Sequence, residues 1–257
     1  MRLFDSHSHI SLIHEDAIER LIITQEAKQA GIVGIISICN NINDFFVVYD
    51  QLRTASNVYH AVGVAPSEVE SPGKNWIQKI EEGITKPRVI AIGETGLDYY
   101  RKFGDKNSQI ELFIKQLELA EKYNLPVIVH NREAGKDILE ILKEKIPSRG
   151  AVLHCFSENW DFAKKAMDLN IMISLAGNVT YKNAKELQDA AKKIPLDRLL
   201  VETESPFMIP AVYRGKRNRP IYLIEIIKHL SNIREESQEE IAEATYQNAL
   251  SFFNISE

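Results

Sequence analysis

Cysteine is scarce: 257 residues contain two, Cys39 and Cys155, and neither lies in a Cys-x-x-Cys pair. That excludes a disulfide framework and a thiolate knuckle; reduced, mostly packed thiols and a cytoplasmic setting are expected instead. A surplus of positive charge is also missing. Lys and Arg number 31 against 36 Asp and Glu, for a net charge of −5. A polyanion would have to be held by a local basic patch. No apolar run reaches the length of a membrane span, so no membrane role is expected. A cleavable signal is not expected either, because a strand-like run with two histidines begins at once. The chain contains no GxGxxG, no GxxxxGK[ST] and no GxSxG, which removes the usual dinucleotide, nucleotide-phosphate and serine-hydrolase signatures. It has no low-complexity stretch and no Pro/Gly/Ser linker, so residues 1–257 read as a single domain.

What is present is an alternation. Eight short Val- and Ile-rich runs, Arg2–Phe4, Ile32–Ile38, Val58–Val64, Val89–Ile92, Pro126–Val129, Ala151–Leu153, Ile171–Leu175 and Leu199–Val201, are separated by amphipathic helix-like stretches. These stretches lie near 15–30, 43–55, 74–82, 108–123, 134–145, 160–170 and 184–193, with two more near 220–232 and 238–253. Ser108-x-x-Glu111 and Ser237-x-x-Glu240 have the spacing of capping boxes. Eight β-α units in about 250 residues predict an α/β fold, a closed (β/α)8 TIM-like barrel.

In such a barrel the chemistry sits where the strands end. The first run leads into His7-Ser8-His9, the fourth into Glu94-Thr95-Gly96-Leu97-Asp98, the fifth into His130-Asn131-Arg132, the sixth into His154-Cys155 and the eighth into Glu202-Thr203-Glu204. Four of the seven histidines fall at these ends. Residues two apart on a strand share a face, so His7 and His9 can converge on one ion. Asp5 is expected on that same face, fixing the tautomer of a ligand. Four imidazoles with two carboxylates suit two divalent ions, among Zn, Mn, Mg, Co, Ni and Fe, that share a bridging carboxylate. Glu94 is best placed to bridge. Such a pair activates water and stabilises an in-line displacement at phosphorus. His14, His60 and His229 stand outside the pattern and read as structural or surface residues.

The chain resembles the TatD family of metal-dependent hydrolases, within the amidohydrolase-like barrels. The resemblance rests on Phe4-Asp5-Ser6-His7-Ser8-His9, on Ala91 to Tyr100 (AIGETGLDYY), on Pro126 to Ala134 (PVIVHNREA), on Leu153 to Ser157, on Leu200 to Pro206, and on Arg214-Gly215-Lys216-Arg217-Asn218. It implies a divalent-metal-dependent deoxyribonuclease that acts on DNA or oligonucleotide ends, often from the 3′ end. It implies metal ligation by His7, His9, Glu94, His130, His154 and Glu204, with Glu94 and Glu204 catalytic. The family usually has Asp where this chain has Glu204, and His where it has Ala65 and Ser67. Ser11 and Arg219 depart from the family's Asp and Glu.

Arg132 is the best phosphate-holding candidate, with Tyr99, Arg217 and Asn218 as further substrate contacts and Arg101, Lys102, Arg214, Lys216 and Arg219 as a basic rim. No obligate protein partner is evident. The competing reading is hydrolysis of a small amide, ester or lactone on the same barrel; a third is a binding protein whose metal site has decayed. The basic rim favours phosphorus.

Overall fold

The computed structural model describes residues 1–256. Eight parallel strands follow one another in chain order: β1 Leu3–Ser8, β2 Ile32–Ser37, β3 Val58–Val62, β4 Val89–Asp98, β5 Val127–Arg132, β6 Ala151–Leu153, β7 Met172–Leu175 and β8 Leu199–Val201. Ten helices connect and follow them: α1 Ile10–Ile13, α2 Ala17–Gln29, α3 Ile42–Leu52, α4 Trp76–Ile84, α5 Lys106–Lys122, α6 Gly135–Lys145, α7 Trp160–Asp168, α8 Lys185–Lys193, α9 Leu223–Ile233 and α10 Gln238–Phe252. This is the expected (β/α)8 barrel. No helix among the described residues is long and apolar enough to cross a membrane.

Two apolar layers hold it together. The inner one takes Phe4, Ile36, Ala61, Ala91, Ile128, Val152, Met172 and Leu200, at least one from each strand, and Tyr246, Ala249 and Phe253 of α10. Phe253 stacks on Phe4 with ring centroids 6.2 Å apart, so α10 plugs the barrel where the strands begin. The outer layer packs the opposite strand faces against the helices. Parallel strands buried on both faces need these near-continuous apolar runs.

β4 and β5 run further than expected, to Asp98 and Arg132, so the residues read as loop motifs lie on strands and inherit their alternation. Ser237 and Glu240 form the expected capping box of α10. Ser108 does not cap α5. Asp105 does, its carboxylate accepting from the N–H groups of Asn107 and Ser108, so the helix starts about a turn earlier.

The barrel closes without a regular β8–β1 ladder. Glu204 N–H donates to His7 C=O at 2.9 Å and His9 N–H to Ser205 C=O at 2.8 Å. Side chains stitch the rest of the seam. Asp5 accepts from Thr203 N–H (2.8 Å) and from Thr203 Oγ1 (2.6 Å), Ser6 Oγ donates to Val201 C=O, and Ser8 pairs with Ser205.

Candidate metal centre

The inner layer gives the phase of each strand. Counting in twos from Ile128, Val152 and Leu200 leads to His130, His154 and Glu202, with Arg132 and Glu204 beyond. The same count from Phe4 and Ala91 leads to Ser6 and Gly93, not to His7 or Glu94. Each of those two strands carries one extra residue. Asp5 and Ser8 pair with Ile35 and Ser37, and Ile92 and Thr95 pair with Val127 and Val129, three residues against two. A bulge of this kind re-aims the side chains beyond it. On β4 it falls at Gly93-Glu94, joined by a cis peptide. It turns Glu94 inward and sends Thr95 outward to Gln116. On β1 it corrects the expectation for Asp5, which serves the seam and contacts only the backbone N–H of His7, at 3.4 Å, rather than any imidazole.

Six side chains meet on the barrel floor. Glu94 stands between two groups and gives each one oxygen. Its Oε2 lies 3.8 Å from His7 Nε2 and 3.6 Å from His9 Nε2. Those two nitrogens are 3.2 Å apart, and Glu204 Oε2 lies 3.3 Å from the first and 3.7 Å from the second. The other oxygen of Glu94, Oε1, lies 2.7 Å from His130 Nδ1 and 3.2 Å from His154 Nε2, themselves 3.3 Å apart. Ligands of a tetrahedral ion at about 2.0–2.2 Å sit about 3.3–3.6 Å from one another, the spacing of the first group.

Hydrogen bonds fix which ring nitrogens face inward. Asp98 Oδ2 lies 3.2 Å from His130 Nε2, and Asp98 accepts Arg101 N–H through Oδ1. Glu202 Oε1 accepts Cys155 N–H at 2.8 Å and lies 3.3 Å from His154 Nδ1. Glu202 thus orients His154, and this carboxylate chain keeps the lone pairs of both rings on Glu94. Asp98 escaped the sequence reading, although it ends the same strand as Glu94 four residues on.

Burial and neighbouring charge set the protonation. Burial would raise Glu94, but His154 and His130 reverse this and hold it well below the usual carboxylate range. Glu204 goes the other way: burial, with Glu94, Glu202 and Asp5 nearby, pushes it well up. Burial keeps His7 well below its usual value and brings His9 to about 4, so both rings are neutral ligands at pH 7. His130 and His154 are burdened by burial too, yet their carboxylate partners raise them.

The donor set fits a divalent cation. Glu204 Oε2 is buried without a hydrogen-bond partner and faces the Nε2 atoms of His7 and His9. Two neutral imidazoles and two carboxylate oxygens crowd one spot with at most a proton or two between them. Such a cluster of acceptors is costly unless a cation shares it.

The cluster floors a cleft of about 390 Å³. Arg132 reaches its wall, with the guanidinium 4.2 Å from the centre of the Tyr100 ring, and Arg101 stands beside it. Three expected substrate contacts lie elsewhere. Tyr99 donates its hydroxyl to Asp137 at 2.6 Å and is tied to α6. Arg217 is engaged by the Leu12 carbonyl. Asn218 is buried, and its amide bonds Thr203 C=O at 2.7 Å and Phe207 C=O, bracing the loop after β8. Arg214, Lys216 and Arg219 do not line the cleft either; Arg219 pairs with Glu26.

A barrel with clustered imidazoles and carboxylates at its strand ends defines a metal-dependent hydrolase. A family model described as TatD related DNase matches residues 4–254, and the chain belongs to that family. It is 35% identical to the uncharacterized metal-dependent hydrolase YabD of Bacillus subtilis, over 98% of this chain and 99% of the relative. It is 35% identical to YcfH of Escherichia coli, over 99% and 97%. The crystal structure of YJJV, a TatD homologue of Escherichia coli, superimposes with a TM-score of 0.92 at 31% identity, covering 99% of both chains.

Proposed function

We propose that this protein hydrolyses phosphodiester bonds at DNA or oligonucleotide ends with two divalent ions. The observation that carries this reading is Glu94, whose two oxygens each face a separate set of ligands below a cleft walled by Arg132 and Arg101. One ion falls to His7, His9, Glu94 and Glu204, the other to His130, His154 and Glu94. Ions held there supply Lewis acidity to the scissile group and make a coordinated water acidic. Two dications balance the carboxylates of Glu94, Glu204, Asp98 and Glu202, so the positive charge that suits an anionic substrate falls to Arg132 and Arg101. The family's description as related to a DNase supports the same substrate class.

The remaining work falls to the chain. Asp98 and Glu202 keep protons on the outer nitrogens of His130 and His154, so the inner nitrogens stay available. Arg132, braced on Tyr100, directs paired N–H donors at a phosphate. Glu204 Oε2 falls among the ligands of the first ion, and burial beside other carboxylates pushes Glu204 up, so its remaining oxygen would take the proton of the attacking water. The water oxygen bonds to phosphorus as the bond from phosphorus to the sugar oxygen breaks, and that proton passes to the departing sugar oxygen. Cys39 is held as a thiol by burial, its pKa pushed up to about 12.

Chelated protein resupplied in turn with Mg, Mn, Co, Ni and Zn should shorten a labelled oligonucleotide with at least one ion. Failure with all five, alongside turnover of an uncharged ester or lactone, would reassign the reaction to carbon.

A further inference from the structure

Among the polar side chains that line the cleft outside the metal floor and the phosphate contacts, Asn40, Ser67, Asn131 and Asn178 each keep a buried atom without a hydrogen-bond partner, and Asn178 is the one whose loop is joined to that of Phe207. Asn178 sits in the short 3-10 turn Gly177–Thr180 that follows β7. It is 8% exposed, lines the cleft, and its Oδ1 is buried without a hydrogen-bond partner. Its Nδ2 donates to Phe156 C=O at 3.1 Å. Turning the amide over would set two acceptors against each other, so Oδ1 is fixed as the atom on offer. A buried acceptor held this way calls for a donor from a ligand.

Phe207 belongs to the same wall. Its ring is 49% exposed and meets the edge of His9 at 5.9 Å between centroids. The loops carrying the two residues are locked together. A Cβ on Gly177 would lie 1.8 Å from Met208 C=O, so only glycine allows this approach, and Ala211 N–H donates to Thr180 Oγ1 at 2.8 Å. The two joined loops thus bring an aromatic face and an unpaired amide oxygen into the cleft that Arg101 and Arg132 also line.

We infer that Asn178 and Phe207 form a base-reading subsite, which takes the nucleobase flanking the scissile phosphate and favours bases bearing an exocyclic amine. The inference rests on the phosphodiesterase reading and gives it a specificity. A flat heterocycle stacks on Phe207 while its amine donates to Asn178 Oδ1. Thymine offers a carbonyl at that position and leaves the acceptor unpaired, which sites of this kind punish.

The test uses two ligands of the same shape. 5-Methyl-dCMP and dTMP share ring, methyl group and phosphate, and differ at the exocyclic position and the adjoining ring nitrogen. Calorimetric titration of metal-loaded protein should give about tenfold tighter binding of 5-methyl-dCMP, the value of one added hydrogen bond. Asn178→Leu should bring the two within about twofold, and Asn178→Ala gives the same readout without added bulk. Phe207→Leu should weaken both by about fivefold or more and keep their ratio, since stacking ignores the amine. Equal affinities in the wild-type protein, or an unchanged ratio in both Asn178 variants, would overturn the inference. Binding needs no turnover. A protein that cuts no DNA yet keeps the ratio loses the phosphodiesterase reading alone, and one that cuts DNA but binds both ligands equally loses the subsite alone.

Discussion

His130, His154 and Glu202 stand where plain alternation along β5, β6 and β8 puts them, whereas His7, His9 and Glu94 do not. The first three continue unbroken strands whose inner residues are Ile128, Val152 and Leu200. The others need an extra residue on β1 and on β4 to bring them inward. The regular half is held by ladder hydrogen bonds and oriented by Glu202 after β8 and by Asp98 at the end of β4. Of the two bulged strands, β4 keeps its ladders to β3 and β5, while β1 closes on β8 through a seam of side chains, with Asp5 taking over contacts that a ladder would supply. Metal ligation on the regular side is therefore separable from folding, and on the seam side the two are coupled.

The largest effect should come from Glu94, which serves both halves. Glu94→Ala should reduce turnover to background and weaken both ions, as read by metal analysis after dialysis. Glu204→Ala should likewise abolish turnover. Glu204→Asp should retain it, because the carboxylate survives and φ at this position is +55°, a left-handed conformation that Asp tolerates better than Glu.

The next two variants set the halves against each other. Asp98→Asn removes the acceptor facing His130 Nε2 and should cost about 10- to 100-fold in affinity for one ion, with the urea midpoint unchanged. Asp5→Ala touches no ligand ring, yet it leaves Thr203 N–H buried without its acceptor. It should lower stability by about 1–3 kcal/mol in urea unfolding. Equal stability losses in the two variants would erase the distinction. Ion binding should also weaken as pH falls, because protons compete for the same lone pairs.

These differences track what a sequence can carry. Strand order, helix order and the cluster of strand-end ligands follow from local pattern, so the barrel and all six proposed ligands are readable without coordinates. Bulges are not. Nothing in Phe4-Asp5-Ser6-His7 marks the change of phase, so Asp5 was placed with the imidazoles when it belongs to the seam. Tyr99, Arg217 and Asn218 follow the family motif, but a motif does not say which way a side chain turns, and their partners Asp137, Leu12 and Thr203 are distant in sequence. Asn178 follows β7 in a 3-10 turn over Gly177–Thr180, which strand alternation does not reach.

A further effect lies outside the cleft. His60 on β3 is buried against Tyr49 and Phe45, and burial lowers it from 6.5 to about 3. Between those values the unfolded chain binds the extra proton, so this contribution to stability is complete above pH 6.5 and fades as pH falls toward 3. His60→Leu should flatten the acid side of the stability profile by up to about 1.4 kcal/mol per pH unit in that window. Parallel profiles for variant and wild type would show that His60 does not titrate in unfolding.

The central claim is that Glu94 joins two ion sites of different construction, and metal stoichiometry tests it most directly. Saturated and desalted protein should carry two ions per chain, one in His9→Ala, one in His130→Ala, and neither held tightly in Glu94→Ala. A single ion in the wild-type protein, or two retained in Glu94→Ala, would contradict it.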